Sequence, residues 1–215
     1  MLEKKGKWLI GLPFVALLIV NFFLPTIPIW DERLFFPTVQ QIGANYFPTL
    51  EQVRTLNSPM GPVYFMIWGF IGKLSNFSLL IMRAIHLLMS FGFVLLLYRL
   101  LRDRLTYPYL ALLFFVVNPY FLVMTAPLLY TDITALLFIF AGVFYYLEEQ
   151  NRLLAGLFLG VAICTRQLYI TVPMALALND IFWWFKGKGR WQHLFFHPLP
   201  LLCFLPLFFL WDYNV

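Results

Sequence analysis

Asp31 and Glu32 stand side by side directly after a long apolar run, and Arg83, His86, Asp132, Arg166 and Gln167 interrupt later apolar runs. Side chains of these types can do two kinds of chemistry. A carboxylate within hydrogen-bond reach of a hydroxyl removes its proton as the oxygen attacks. A guanidinium matches the geometry of a phosphate and offsets negative charge that grows on it. Each residue also has a plainer reading. Asp31 and Glu32 serve equally well as hydrated loop acids. Asp132 suits the first turn of a helix, where the dipole favours an acid. Arg83 can snorkel to headgroups, and His86 can hydrogen-bond a neighbouring helix. An ionisable group within an apolar run usually faces protein or water and marks function. What these residues share is an expected position on one side of a membrane.

That expectation comes from the composition of the elements that carry them. Of 215 residues, 62% are hydrophobic and 12% charged. A soluble domain carries about 45–50% apolar and about 25% charged residues. Too few charges remain to cover a solvated surface, so the fold class is an all-α, polytopic membrane protein. A span takes roughly 20 apolar residues, and the runs place seven spans near 8–29, 79–100, 107–126, 132–147, 153–168, 169–185 and 194–211. The basic run Lys4, Lys5 and Lys7 precedes an apolar stretch too long for a signal-peptide core, and no small-residue cleavage site follows. It reads as a retained first span with the N-terminus in the cytoplasm. The region 153–185 suits either one long bent span or two short ones. Its length and the polar Thr165-Arg166-Gln167 favour two that meet at the outer face.

Positive charges orient the array. The assigned cytoplasmic side holds Lys4, Lys5, Lys7, Arg99, Arg102, Arg104, Arg152, Lys186, Lys188 and Arg190; the other side holds Arg33, Arg54, Lys73, Arg83 and Arg166. The larger basic set marks the cytoplasm. The net charge of +5 therefore bears on orientation, and nothing points to nucleic acid. The segment 31–78 is external. Its residues 34–47 mix Leu34, Phe36, Val39 and Ile42 with Gln40, Gln41 and Asn45, which suits a helix lying along the membrane surface. Residues 62–74 predict a second interfacial or re-entrant helix. Chain 1–215 thus reads as a single transmembrane module. Cys164 and Cys203 lie in apolar runs as small hydrophobes, and no spacing suggests a metal.

Several short motifs, in order along the chain, resemble one known family. They are Asp31-Glu32-Arg33-Leu34-Phe35-Phe36-Pro37-Thr38-Val39-Gln40 with Asn45-Tyr46-Phe47, then Ser58-Pro59-Met60-Gly61-Pro62-Val63-Tyr64, Met82-Arg83-Ala84-Ile85-His86-Leu87-Leu88, Leu129-Tyr130-Thr131-Asp132 and Thr165-Arg166-Gln167. The set is similar to the N-terminal part of the dolichyl-phosphate-glucose-dependent alpha-1,2-glucosyltransferases. It departs from that family at Phe35, where the family has histidine, and at Met60, where it has proline; the chain ends at Val215, short of the family's longer C-terminal part. These departures suggest a distant relative within the wider GT-C superfamily of polyprenyl-phosphate-sugar-dependent glycosyltransferases.

The resemblance implies an integral-membrane, inverting hexosyltransferase. Its donor would be a polyprenyl-phosphate sugar and its acceptor a glycan or lipid-linked acceptor on the external face, periplasmic or luminal; in a prokaryote the membrane would be the plasma membrane. Asp31 is the expected base, with Glu32 second. Arg166 and Arg83 would offset the leaving phosphate, Asp132 would orient an arginine or bind acceptor hydroxyls, and Gln167 and Tyr64 would contact substrate. No metal or other cofactor is expected. The alternatives are a membrane transporter subunit and a truncated, non-catalytic fragment.

Overall fold

The computed structural model describes residues 2–29, 32–45, 47–56, 60–119, 121–122, 131–188 and 196–210. All regular elements among them are helical: α1 (Leu2–Phe23), α2 (Glu32–Gly43), α3 (Leu50–Arg54), α4 (Pro62–Leu74), α5 (Leu79–Leu101), α6 (Pro108–Val116), α7 (Thr131–Leu147), α8 (Arg152–Thr165), a 3-10 turn (Gln167–Ile170), α9 (Thr171–Phe185) and α10 (Pro198–Leu210). Among the described residues, two stretches are long and apolar enough to cross a membrane, where seven spans are expected: Leu79–Leu101, with mean hydropathy 2.1, and Gln167–Phe185, with mean hydropathy 1.3.

Contacts between helix ends fix the direction of each long helix. The end of α1 meets the start of α5, where the Asn21 amide donates to the Leu80 carbonyl at 3.2 Å. The end of α5 meets the start of α6 through the Tyr98 and Tyr109 hydroxyls at 2.5 Å. Helices α7 and α8 form an antiparallel hairpin, with Asp132 opposite Arg166 at one end and Tyr146 beside Arg152 at the other. The backbone becomes extended at Arg166, with φ −152° and ψ 111°. The chain reverses there, because Asp180 near the end of α9 returns to Arg152 at the start of α8. Two helical segments separated at Thr165-Arg166-Gln167 are what the polar break predicts.

Small residues let these helices approach closely. Leu199 and Cys203 of α10 lie over Gly156 and Gly160 of α8, and Leu159 of α8 lies over Gly142 of α7; a β-carbon at any of the three glycines would come within 3.0 Å of those side chains. Such glycine-lined faces are a common way for helices to associate in lipid.

The segment between α1 and α5 departs from the expected surface layer. Helix α2 is amphipathic as its pattern predicts, burying Phe36, Val39 and Ile42 while Leu34 is exposed. It starts at Glu32 and ends at Gly43. The remainder of the 34–47 stretch is not part of it; instead a short helix, α3, follows, capped by Thr49 and Gln52 in a reciprocal capping box. Helix α4 is a core element, with Tyr64, Phe65 and Trp68 fully buried. Trp68 donates its indole N–H to Thr134 of α7 at 3.1 Å and packs on His86 of α5. The helix expected to be interfacial or re-entrant thus packs within the helix array, burying Pro62, Tyr64, Phe65, Trp68, Gly69 and Gly72 while Phe70 and Leu74 stay exposed.

Two backbone contacts seat α4. Gly43 of α2 crosses Gly69, where an added β-carbon would lie 2.3 Å from the Gly69 carbonyl oxygen. Gly61 donates its amide N–H to the Thr165 carbonyl at 3.0 Å, and a β-carbon on Gly61 would lie 1.9 Å from the Cys164 oxygen. Backbone cannot yield as a flexible side chain does, so Gly61→Ala is expected to cost about 1–3 kcal/mol, the usual range for overpacking. Gly11, which has nothing within 4 Å of its added β-carbon, is the control. Thermal unfolding in detergent should show a lower midpoint for Gly61→Ala and an unchanged or higher one for Gly11→Ala.

Candidate functional site

The ends of α1, α8 and the starts of α2, α4, α5 and α7 share one end of the helix array, and Glu32, Arg83, Asp132, Arg166 and Gln167 gather there. They form two groups of different character.

The first group is buried. Glu32 opens α2, where the helix dipole favours an acid. Arg83 lies in the second turn of α5. The Arg83 guanidinium donates from Nε to Glu32 Oε1 at 2.9 Å and from Nη2 to Oε2 at 2.5 Å. It also donates to the carbonyls of Pro25 at 2.8 Å and Ile27 at 3.2 Å, while the Ile29 amide donates to Glu32 Oε2 at 3.0 Å. The Arg83 and Glu32 side chains are 1% and 0% exposed. Removing two charges from water is costly unless geometry and further hydrogen bonds compensate, and here the bidentate fork and three backbone partners do so. In this conformation the pair anchors the chain between α1 and α2. Both side chains are turned into this pair, so the expected roles of Glu32 as second base and Arg83 as phosphate ligand would need the pair to open.

Tyr64 and His86 belong to the same interior. Tyr64 is packed between Phe35, Phe65 and Trp68. Burial, and after it the Glu32 charge, pushes its phenol pKa up, so it stays protonated. Substrate contact by Tyr64 would need this packing to open. His86 packs on Trp68, as a helix–helix contact.

The second group is partly open. Asp132 in the first turn of α7 and Arg166 just after α8 form an ion pair at 2.6 Å, with side chains 15% and 27% exposed. Tyr169, in the 3-10 turn, donates its hydroxyl to the same Asp132 Oδ1 at 3.0 Å. Gln167 is half-buried beside them in sequence. The extended backbone at Arg166 is what makes this arrangement: the helix stops, and the following turn carries Tyr169 back onto Asp132. The two groups are joined through α4, since Gly61 bonds Thr165 next to Arg166 and Tyr64 lies in the first turn beyond Gly61. Asp31, the expected base, lies outside the described residues, as do Ser58, Pro59 and Tyr130.

Sequence reasoning missed two things. Tyr169 was absorbed into an apolar run, although it stands three residues after Arg166. A further polar cluster sits at the opposite end of the array. There Tyr146 donates its hydroxyl to Asp180 Oδ1 at 2.5 Å, the His197 ring nitrogen Nε2 lies 2.9 Å from Asp180 Oδ2, and the Arg152 guanidinium covers the Tyr146 ring at 3.6 Å. Asp180, a carboxylate inside an apolar run, was the available signal. This cluster ties α7, α8, α9 and the approach to α10 together.

No family model matches the chain, and no curated protein or solved structure shows significant similarity to it.

The two ion pairs should differ in stability. Glu32→Gln leaves a buried guanidinium without its counter-charge, a change that typically costs about 3–5 kcal/mol. Asp132→Asn removes a partly exposed pair, expected to cost about 1 kcal/mol or less. Comparing unfolding midpoints of the two variants in the same detergent checks the ranking.

Proposed function

We propose that this chain is a multi-pass membrane glycosyltransferase of the GT-C kind, moving a hexose from a polyprenyl-phosphate sugar to a glycan or lipid-linked acceptor on the external face. The observation that carries this reading is the partly open Asp132–Arg166–Tyr169 group. It lies at the same helix ends as the anchored segment that leads into Asp31, and at the end opposite the basic side of the chain. The alternating directions of α1 and α5 to α10 support seven crossings. The ordered motif set, from Asp31 to Gln167, supports the enzyme class.

In the proposed reaction, Asp31 takes the proton of the acceptor hydroxyl as its oxygen attacks the anomeric carbon. The bond from that carbon to the phosphate oxygen breaks through an oxocarbenium-like state, and the polyprenyl phosphate leaves with the bonding electrons. One displacement inverts the centre. Arg166 offsets the charge gathering on the phosphate. Asp132 holds that guanidinium in place, which favours its orienting role over direct contact with acceptor hydroxyls. Gln167, next in sequence to Arg166, hydrogen-bonds the sugar or phosphate in this reading. Glu32 and Arg83 act at one remove, by fixing the chain that precedes and follows Asp31.

The test is transfer of labelled sugar from a panel of polyprenyl-phosphate donors by membranes containing the protein. Asp31→Asn is expected to lower transfer by about 10²–10⁴-fold, the range for loss of a general base. Arg166→Gln should reduce transfer sharply, with Arg166→Lys recovering only part of it because an ammonium lacks the planar fork. Transfer that survives Asp31→Asn removes Asp31 from the role of base. Absence of transfer from every donor by well-folded native protein sinks the enzyme reading.

A further inference from the structure

A lateral groove of about 720 Å³ runs between α1 and α5, far from the Asp132–Arg166 group. Its walls are apolar, formed by Ile10, Leu12 and Val15 of α1 and Phe91, Val94 and Leu95 of α5. Leu12, Val15 and Leu95 are exposed along it, so the groove opens sideways rather than into the protein. At one end it changes chemistry: Tyr98, Arg99, Arg102 and Tyr109 line it there. The first turns of α1, which carry Lys4, Lys5 and Lys7 in sequence, lie at this same end. An apolar trough finished by two guanidinium groups matches a molecule with a hydrocarbon tail and an anionic head.

We propose that this groove binds an anionic bilayer phospholipid, one acyl chain along α1 and α5 and the phosphate at Arg99 and Arg102. The charged end suits the exchange. Arg99 is exposed, and its guanidinium carbon lies 5.9 Å from the Phe144 ring. Arg102 pairs with its sequence neighbour Asp103 at 2.9 Å, with side chains 55% and 68% exposed, a surface pair that a phosphate can displace. Glu148 and Glu149 line an adjoining cleft with both arginines, but Glu148 is already engaged by Arg104 at 2.8 Å. The groove belongs to the side assigned to the cytoplasm, where anionic lipids attract basic residues. The inference rests on the membrane reading alone and is independent of glycosyl transfer.

Native mass spectrometry of the purified full chain, incubated with equal amounts of phosphatidylglycerol and phosphatidylcholine, tests it. The wild type is expected to retain phosphatidylglycerol preferentially. Arg99→Gln with Arg102→Gln should reduce that preference by about fivefold per arginine, from roughly 1 kcal/mol per basic residue near a membrane surface. Gly11→Leu places a side chain in the groove, where an added β-carbon meets nothing within 4 Å, and should lower retention of both lipids with an unchanged unfolding midpoint. Equal retention of the two lipids by the wild type overturns the proposal, as does a preference that survives the double arginine variant or a retention that Gly11→Leu leaves unchanged. Displacement of phosphatidylglycerol by an equal amount of polyprenyl phosphate would reassign the groove to a different lipid and overturn it too.

Discussion

A buried carboxylate and guanidinium hold the segment between α1 and α5 to the helix array. Glu32 and Arg83 come from elements far apart in sequence, and Arg83 reaches beyond its partner to the carbonyls of Pro25 and Ile27. The turn leaving α1 has no regular structure to satisfy its own carbonyls, and a guanidinium with fixed, divergent donors supplies the bonds a helix would otherwise make. Without that anchor, the start of α2 has no defined place. Helix α4, which packs on α2, then loses one of its walls.

Helix α4 is the second constraint. It is apolar enough to resemble a short membrane segment and is used as filling between α2, α5, α7 and α8. Two of its contacts are made by glycine against backbone, at Gly61 and Gly69. Close backbone approach replaces side-chain interdigitation there, and Trp68 supplies the volume further along the helix. The Asp132–Arg166 end is tied to this packing, because Gly61 bonds Thr165 next to the point where Arg166 turns.

Much of this could be read from the residues. Long apolar runs disclosed the helices, and the polar Thr165-Arg166-Gln167 disclosed the reversal between α8 and α9. Hydrophobic spacing also disclosed the buried face of α2. Periodicity was silent on α4, since an apolar helix of this length fits an interface, a re-entrant turn and a core equally well, and only its neighbours decide. Pairing was harder still. Nothing in the spacing of Glu32 and Arg83 distinguishes two site residues from one buried ion pair, because the distinction lies in desolvation and in which carbonyls are nearby. Asp132 and Arg166 were legible as members of one face, whereas Tyr169 required the path of the 3-10 turn. Asp180 and His197 meet only once α9 and α10 are in place.

The hydrogen bond from Gly61 to Thr165 also has a direction in time. A helix that stops inside an apolar region leaves carbonyls in need of donors. The donor for Thr165 comes from a segment synthesised earlier, and domains assemble in general from the N-terminal side during translation. When the reversal at Arg166 emerges, the amide that stabilises it already exists, provided that α4 has been laid down with its glycine facing outward. The break in the later hairpin thus depends on the earlier half of the chain for its donor, so the two halves are not interchangeable pieces.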